Sequence, residues 1–312
     1  MKTFKKITLI LVVIISLSLL GGHFYFDKKF TPPDNYLTVS QVAENVPIKW
    51  DVTDDNPYSA LFLPVRIEGI DKPLYMQLDF GSPITIFYTK SLASLQTKFR
   101  NQIKPDTIQK QIALNFNIGD MNVASKTFSL LKYGDSIDFN NPDALNVIGT
   151  IGTDLLEKRV TVLDFKNNTC SFIKDISTNG FEDFEFKKRR IIIPAAIDNE
   201  DLKLLYDSGS SNYELITGKE EWEKYKTPGG KIKTDKGNSW GNQLKVVSAP
   251  ANHTIKIGST ALQLSEVTYV EGTSTLQNLL MKSSGMQGMI GNKLFLNHKL
   301  TLDCKNERFR IE

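Results

Sequence analysis

Two short segments of the sequence place an aspartate two residues before a glycine and three before a serine: DFGS at residues 79–82 and DSGS at residues 207–210. If the fold brings the two aspartates together, they cannot both be ionised at low cost, and the pair shares one proton. The ionised member can then accept a proton from a bound water while the protonated member polarises a carbonyl group. Each segment alone is more typical of a turn after a strand.

If the two segments meet, Asp79 and Asp207 are the predicted catalytic residues, and neither the base nor the acid is assigned between them. The glycine of each segment would let its loop turn tightly and aim backbone N–H groups at the carboxylates. The serine that follows each glycine could donate to an outer carboxylate oxygen. The predicted supporting residues are Gly81, Ser82, Ser208, Gly209 and Ser210.

An internal repeat connects the two segments. Residues 149–167 align with residues 288–306 without a gap, at an offset of 139. Residues 78–89 align with residues 206–217 at an offset of 128, so the second copy carries 11 more residues in between, a loop-sized insertion. A repeat of this length predicts a duplicated protein with two lobes.

The elements that must position the aspartates read as strands. Apolar residues alternate with polar ones in most segments between Gly, Asn and Asp turns, which predicts a mainly β fold. Only SLASLQTKF (91–99) and GKEEWEKYK (218–226) favour helices, at matching places after the two Asp segments. We predict a first β lobe over 58–178 and a second over 179–312, with the connection near 175–190.

These residues resemble the pepsin-like, two-lobed aspartic proteases. In that family each lobe has Asp-Thr/Ser-Gly after a strand, and a later apolar-apolar-Gly element packs across the Asp loop. Here the later elements would be TIG (150–152) and MIG (289–291). The resemblance covers about residues 58–312. It implies pseudo-twofold symmetry and an aspartic endopeptidase that acts on peptides or proteins with no cofactor and no metal. The predicted residues that pack on the Asp loops are Ile151, Gly152, Ile290 and Gly291.

The sequence departs from the family pattern at residue 80, where Phe80 replaces Thr or Ser. One hydroxyl of the usual cross-loop hydrogen bonding is therefore missing, and a buried N–H left unpaired would cost about 1–3 kcal/mol. On this reasoning Phe80→Thr should raise stability or activity. Phe80 also leaves open a second hypothesis, a catalytically impaired protein that binds peptides.

The flap, a hairpin that carries a Tyr over the cleft in this family, has no evident equivalent in the first copy. Only 40 residues separate Asp79 from Gly119, and no Tyr-Gly turn lies between them. SWGNQ (239–243), with Trp240 at its tip, is the nearest candidate for a hairpin over the cleft, and an exposed surface hairpin is the alternative.

Other chemistries lack their signatures. The Asp-Phe-Gly of a kinase should come with a Gly-rich loop and an HRD-type loop, and neither is present. With three histidines, no G-x-S-x-G and no HExxH, a Ser-His-Asp or zinc hydrolase is disfavoured. Lys and Arg number 38 against 35 Asp and Glu, so no nucleic-acid partner is predicted.

The N-terminus indicates export. Lys2, Lys5 and Lys6 precede the apolar run Ile7–Leu20, so residues 1–27 are predicted to be a signal peptide or a membrane anchor. No small-x-small cleavage pair follows the run, which favours a retained anchor with the body outside the cell. A cleaved signal and a secreted protein are the alternative. Residues 28–57 would then form a stalk or N-terminal extension.

Cys170 and Cys304 are the only cysteines. An even pair in an exported chain permits a disulfide. Two small buried apolar side chains would explain them equally well.

Overall fold

The structure is a computed structural model of the 312-residue chain. It describes residues 22, 25, 27–29, 31–53, 56–177, 179–239, 242–271 and 285–312. No helix among these residues is long and apolar enough to cross a bilayer. The anchor predicted over residues 1–27 lies almost wholly outside them. Residues 36–312 form one compact unit.

The described chain is mainly β, as predicted. Two α-helices, α1 (Thr89–Lys98) and α2 (Lys219–Tyr225), lie where the sequence predicts them. The strands up to residue 173 are β1 (Thr38–Ser40), β2 (Ala43–Pro47), β3 (Lys49–Thr53), β4 (Asn56–Val65), β5 (Leu74–Leu78), β6 (Ile86–Tyr88), β7 (Gln111–Ile118), β8 (Met121–Leu131), β9 (Val147–Ile151), β10 (Val160–Asp164) and β11 (Thr169–Ile173). The later strands are β12 (Glu182–Asp183), β13 (Glu185–Lys187), β14 (Arg190–Ile197), β15 (Glu200–Tyr206), β16 (Leu215–Thr217), β17 (Lys233–Ser239), β18 (Asn242–Ile257), β19 (Thr260–Glu271), β20 (Gly288–Ile290), β21 (Lys299–Asp303) and β22 (Arg308–Ile311).

Each lobe is built on an eight-stranded sheet, and the two sheets share one central pattern. The first has the order β1-β8-β6-β9-β5-β4-β3, with β7 paired to β8, and the second has the order β13-β14-β15-β20-β16-β19-β18-β17. In the first, β9 lies parallel to β5 and antiparallel to β6. In the second, β20 lies parallel to β15 and antiparallel to β16. The internal repeat of the sequence is therefore a repeat of topology.

A six-stranded sheet joins the two halves of the chain, in the order β12-β22-β21-β10-β11-β2. At its centre β10 of the first half pairs antiparallel with β21 of the second, with Val162 opposite Thr301. Buried apolar residues of both lobes and of this sheet form one continuous core. The fold therefore fixes the two Asp loops relative to each other through a shared core.

Residues 38–53 correct the predicted extension over 28–57. Strand β1 pairs with β8, β2 with β11 and β3 with β4, so this segment belongs to the sheets. Ala43 and Val46 are buried in the core. These strands are short and face solvent on one side, and their pairing partners lie up to about 130 residues away, so local periodicity gives little sign of them.

The insertion in the second copy forms a hairpin. β17 pairs with the first part of β18, from Lys233 opposite Ser248 to Ser239 opposite Asn242. Trp240, the predicted tip residue, lies outside the described residues. In the first lobe, the β7–β8 turn at Gly119 packs against Ala43 and Val46 of β2. The β7–β8 turn therefore packs against the six-stranded sheet.

The two cysteines are unpaired and buried. Cys170 lies in β11, and the Cys304 amide donates to the Arg159 carbonyl just after β21 (3.2 Å). Burial raises the pKa of both thiols. The disulfide that the sequence permits is not formed, and both residues serve as small core side chains.

Candidate active site

Both Asp loops start at the end of a central strand and are held there by the apolar-apolar-Gly elements. The Asp79 amide donates to the Ile151 carbonyl (3.1 Å), and the Asp207 amide donates to the Ile290 carbonyl (3.0 Å). Gly152 and Gly291, which follow these isoleucines, bond to residues at the far end of each Asp loop. The Gly152 amide donates to the Thr85 hydroxyl (3.2 Å), and the Gly291 amide donates to the Glu214 carbonyl (3.3 Å).

The fold brings the Asp79 and Asp207 side chains together. The Gly81 amide donates to Oδ1 of Asp79 (2.9 Å) and to Oδ1 of Asp207 (3.1 Å), so one backbone N–H bridges both carboxyl groups. The two carboxyl groups are also close enough for the charge of Asp207 to affect the pKa of Asp79. Asp79 is 9% exposed, and Asp207 is half-buried.

Glycine is required at 81 and 209 by this close approach. A Cβ on Gly81 would lie 2.7 Å from Oδ1 of Asp207, and a Cβ on Gly209 would lie 2.5 Å from Oδ1 of Asp79. Each glycine therefore faces the aspartate of the opposite loop, and any side chain there would push the carboxyl groups apart. The amides of Gly81 and Gly209 donate to the carboxyl groups, as predicted, and the steric requirement is a second reason for glycine at both positions.

The environment of the pair favours a proton on Asp79. Burial and the nearby charge of Asp207 raise the pKa of Asp79 well above its ordinary value. The amides of Gly81 and Ser82 oppose this increase in the pKa but do not cancel it. Two adjacent carboxyl groups in a dry site that share one proton behave in this way.

The two serines after the glycines do not have equivalent roles. The Ser210 hydroxyl donates to Oδ2 of Asp207 (2.7 Å), as the sequence predicts. The Ser82 hydroxyl instead donates to the Ile84 carbonyl (2.8 Å), which corrects the prediction that it donates to Asp79. Asp207 thus has a hydroxyl donor that Asp79 lacks, and the site is electrostatically asymmetric despite the repeat.

Ser208 links the two loops. Its hydroxyl accepts from the Phe80 amide (3.0 Å) and donates to the Leu78 carbonyl (2.8 Å), so it holds the residues on both sides of Asp79. The buried Phe80 amide therefore has a partner. The Phe80 ring is fully buried and meets the Tyr206 ring edge to face, with centroids 5.6 Å apart. This burial reverses the expectation that Phe80→Thr is favourable.

Two buried polar groups behind the loops are absent from the sequence prediction. Asp154 accepts from the Thr85 amide (2.8 Å) and hydroxyl (2.7 Å) and so fixes the end of the first loop, and burial raises the pKa of Asp154. Asn292 lies behind the second loop and bonds to Tyr206. Asp154 lies two positions after Gly152 and Asn292 one position after Gly291, and a polar residue at such a position is the signal that could have marked them.

No cluster of His, Cys, Asp and Glu side chains among the described residues could hold a metal ion. The arrangement that remains is a pair of adjacent carboxyl groups, with a hydroxyl donor on the side of Asp207.

Comparison with known proteins bears on the fold. Among solved structures, the chain is similar to the aspartic proteinase from Irpex lacteus, with a TM-score of 0.51 and 10% sequence identity, over 88% of this chain and 97% of that chain. At this identity the likeness shows the two-lobed fold alone. No protein-family model matches the sequence, and no curated protein matches it.

Proposed function

We propose that this protein is an aspartic endopeptidase that hydrolyses peptide bonds with a water molecule activated between Asp79 and Asp207. One observation carries the proposal: the Gly81 amide donates to both carboxyl groups, at 2.9 and 3.1 Å, which holds them as a pair. The similarity of the fold to an aspartic proteinase agrees with this function. Neither a cofactor nor a metal takes part in the proposed reaction.

In the proposed mechanism Asp207 is the ionised member and Asp79 holds the proton. Asp207 accepts from the Gly209 amide (2.9 Å), the Ser210 hydroxyl (2.7 Å) and the Gly81 amide (3.1 Å), and three donors favour a negative charge. Asp207 takes a proton from water as the water attacks the scissile carbonyl, while Asp79 donates a hydrogen bond to the carbonyl oxygen. Asp207 then passes this proton to the nitrogen of the leaving amine, the C–N bond breaks, and the two carboxyl groups return to their starting protonation states.

The second candidate is a peptide-binding protein without hydrolytic activity. Phe80 is the observation that favours it, because the side chain adds an aromatic ring beside the pair and lacks the usual hydroxyl. The geometry around Ser208 weakens this argument, since the Phe80 amide is bonded at 3.0 Å and Asp79 and Asp207 still meet. Endopeptidase activity is therefore preferred.

We also propose that the protein is exported and acts in the cell envelope. The lysines before the apolar run Ile7–Leu20 support this location. Retention through that run, with residues 36–312 outside, and release after signal cleavage are the two forms that the proposal can take.

The test is cleavage of a peptide library by the full-length protein from acid to neutral pH. We expect cleavage that is favoured by acid and abolished by Asp79→Asn and by Asp207→Asn, because either change removes one of the two roles. Asp120→Asn, in an exposed turn, is the matched control and should retain activity. A peptide whose scissile bond is replaced by a non-cleavable hydroxyl-bearing group should inhibit.

A folded wild-type protein that cuts nothing at any pH would contradict the proposal. If that protein still bound peptides, the second candidate would replace the first.

A further inference from the structure

We propose that Tyr206 and Asn292 are positioning residues that hold the Asp207 loop in place of the cross-loop hydroxyl that Phe80 lacks. The inference rests on the proposed function, because it concerns how that carboxyl pair is kept in register. It starts from a difference between the two loops. Ser208, in the second loop, is hydrogen-bonded to the first loop. Phe80, the equivalent residue of the first loop, has no side-chain group that could bond to the second loop.

A symmetric arrangement would place a hydroxyl at residue 80 between residues 206 and 208. Ser208 does this for the first loop by bonding to the Leu78 carbonyl (2.8 Å) and the Phe80 amide (3.0 Å) on the two sides of Asp79. A benzyl side chain offers neither a donor nor an acceptor. The second loop therefore needs another source of fixation.

Asn292 supplies it from within the second lobe. Its Oδ1 accepts from the Tyr206 hydroxyl (2.6 Å), and its Nδ2 donates to the Ser208 carbonyl (3.2 Å), so one amide side chain bonds to the residues on both sides of Asp207. The same Nδ2 also donates to the Ser211 hydroxyl (2.6 Å). All four residues are fully buried, which makes these hydrogen bonds costly to break.

Phe80 takes part through its ring. It meets the Tyr206 ring at a centroid distance of 5.6 Å, and Tyr206 also meets Phe295 at 5.5 Å, both edge to face. The Tyr206 ring is thus held by contacts with two phenylalanines, and its hydroxyl donates to Asn292. The contact between Phe80 and Tyr206 links the lobes where the hydroxyl is missing.

The first lobe has no such clamp at the equivalent position. Thr153 aligns with Asn292 at the offset of 139, and its hydroxyl bonds to the carbonyls of Ser82 (3.1 Å) and Arg189 (2.7 Å), both beyond the residues that flank Asp79. Leu78 aligns with Tyr206 and has no hydroxyl. The clamp therefore exists only on the side that residue 80 leaves unsupported.

The test compares Tyr206→Phe with Tyr88→Phe. The Tyr88 hydroxyl is buried in the first lobe and bonds to the Thr150 hydroxyl (2.5 Å), so each change deletes one buried phenol hydroxyl. Of the two hydroxyls, only that of Tyr206 is linked through the Asn292 side chain to Ser208, which flanks Asp207. Burial raises the pKa of Tyr88 to about 12 and that of Tyr206 well above its ordinary value, and the charge of an aspartate of the pair adds to both increases. Both tyrosines are therefore neutral below pH 9.

For Tyr206→Phe we expect kcat to fall roughly tenfold to a hundredfold with KM nearly unchanged, because a small displacement of a reacting group has effects of this size. The basic limb of the pH profile should move to lower pH, because a looser pair shares its proton less strongly. Tyr88→Phe should leave kcat and the basic limb unchanged. The double variant Tyr206→Phe/Asn292→Ala should be no slower than Asn292→Ala alone, since the two residues act as one unit.

Equal effects of Tyr206→Phe and Tyr88→Phe on kcat and on the basic limb would overturn the inference. If the wild-type protein cleaves nothing, the proposed function fails and the clamp is tested by carboxyl ¹³C NMR. The Asp79 titration, identified by its loss in Asp79→Asn, should then move to lower pH in Tyr206→Phe and stay in place in Tyr88→Phe. An unmoved titration in Tyr206→Phe would refute the clamp itself.

Discussion

Phe80→Thr would restore the residue type of the pepsin-like pattern, and the structure predicts that it destabilises the protein. Phe80 is fully buried and contacts Tyr206 edge to face. Truncation of a buried Phe costs about 3–5 kcal/mol, in large part because of the cavity left behind. One new hydrogen bond from the threonine hydroxyl would return about 1 kcal/mol. The expected net loss in the free energy of unfolding is about 2–4 kcal/mol.

Urea titration of the wild type, Phe80→Thr and Phe80→Leu measures this loss. Phe80→Leu is the matched control, because it keeps an apolar side chain of intermediate size and offers no hydroxyl. We expect stability to fall in the order wild type, Phe80→Leu, Phe80→Thr. A Phe80→Thr variant at least as stable as the wild type would mean that the missing hydroxyl matters more than the buried ring, and the reasoning would be refuted.

Three further predictions concern the carboxyl pair and its supports. Folding raises the pKa of Asp79, so the native protein binds more protons than the unfolded chain at any pH between the unfolded and the folded pKa of this residue. The free energy of unfolding therefore falls by up to about 1.4 kcal/mol per pH unit as pH rises through that window. Asp79→Asn should remove this slope in urea titrations from pH 4 to 7, and an unchanged slope would contradict the raised pKa. Ser208→Ala leaves a buried donor and a buried acceptor unpaired and should cost about 2–5 kcal/mol in the same assay, whereas Ser208→Thr keeps the hydroxyl and should cost far less. In peptide cleavage, Ser210→Ala should lower kcat because a donor to the Asp207 carboxylate is lost, and Ser82→Ala should not; equal kcat values for the two variants would show that the asymmetry of the serines has no effect on the pair.

The sequence predicted the parts of the site that local residue types determine. An aspartate and a glycine two residues apart, repeated at a constant order of elements, were sufficient to predict that residues 79 and 207 belong to equivalent loops. The helices after those loops followed from spacing: Leu92 and Leu95 bury one face of α1, and Trp222 and Tyr225 bury one face of α2.

The remaining contacts depend on the exact shape of each loop and on packing between distant segments. The direction of the Ser82 hydroxyl is set by a carbonyl two residues on, and nothing in the sequence separates it from Ser210. Asn292 is a functional candidate only because Tyr206, 86 residues earlier, places a hydroxyl beside it. The sequence shows that residue 80 differs from the pepsin-like pattern, but the effect of Phe80 on stability depends on the Tyr206 ring that it contacts.

The six-stranded sheet has a consequence for how this protein matures. Its central pair joins β10 to β21, strands that lie about 140 residues apart, and β2 near one end of the compact unit enters the same sheet as β22 near the other. Contacts of such long range form late in folding, because a large loop must close before they stabilise anything. Asp207 lies within the long loop that the pairing of β10 with β21 closes, and Asp79 lies before that loop. We therefore expect Asp79 and Asp207 to come together only after strands of the two halves of the chain have paired.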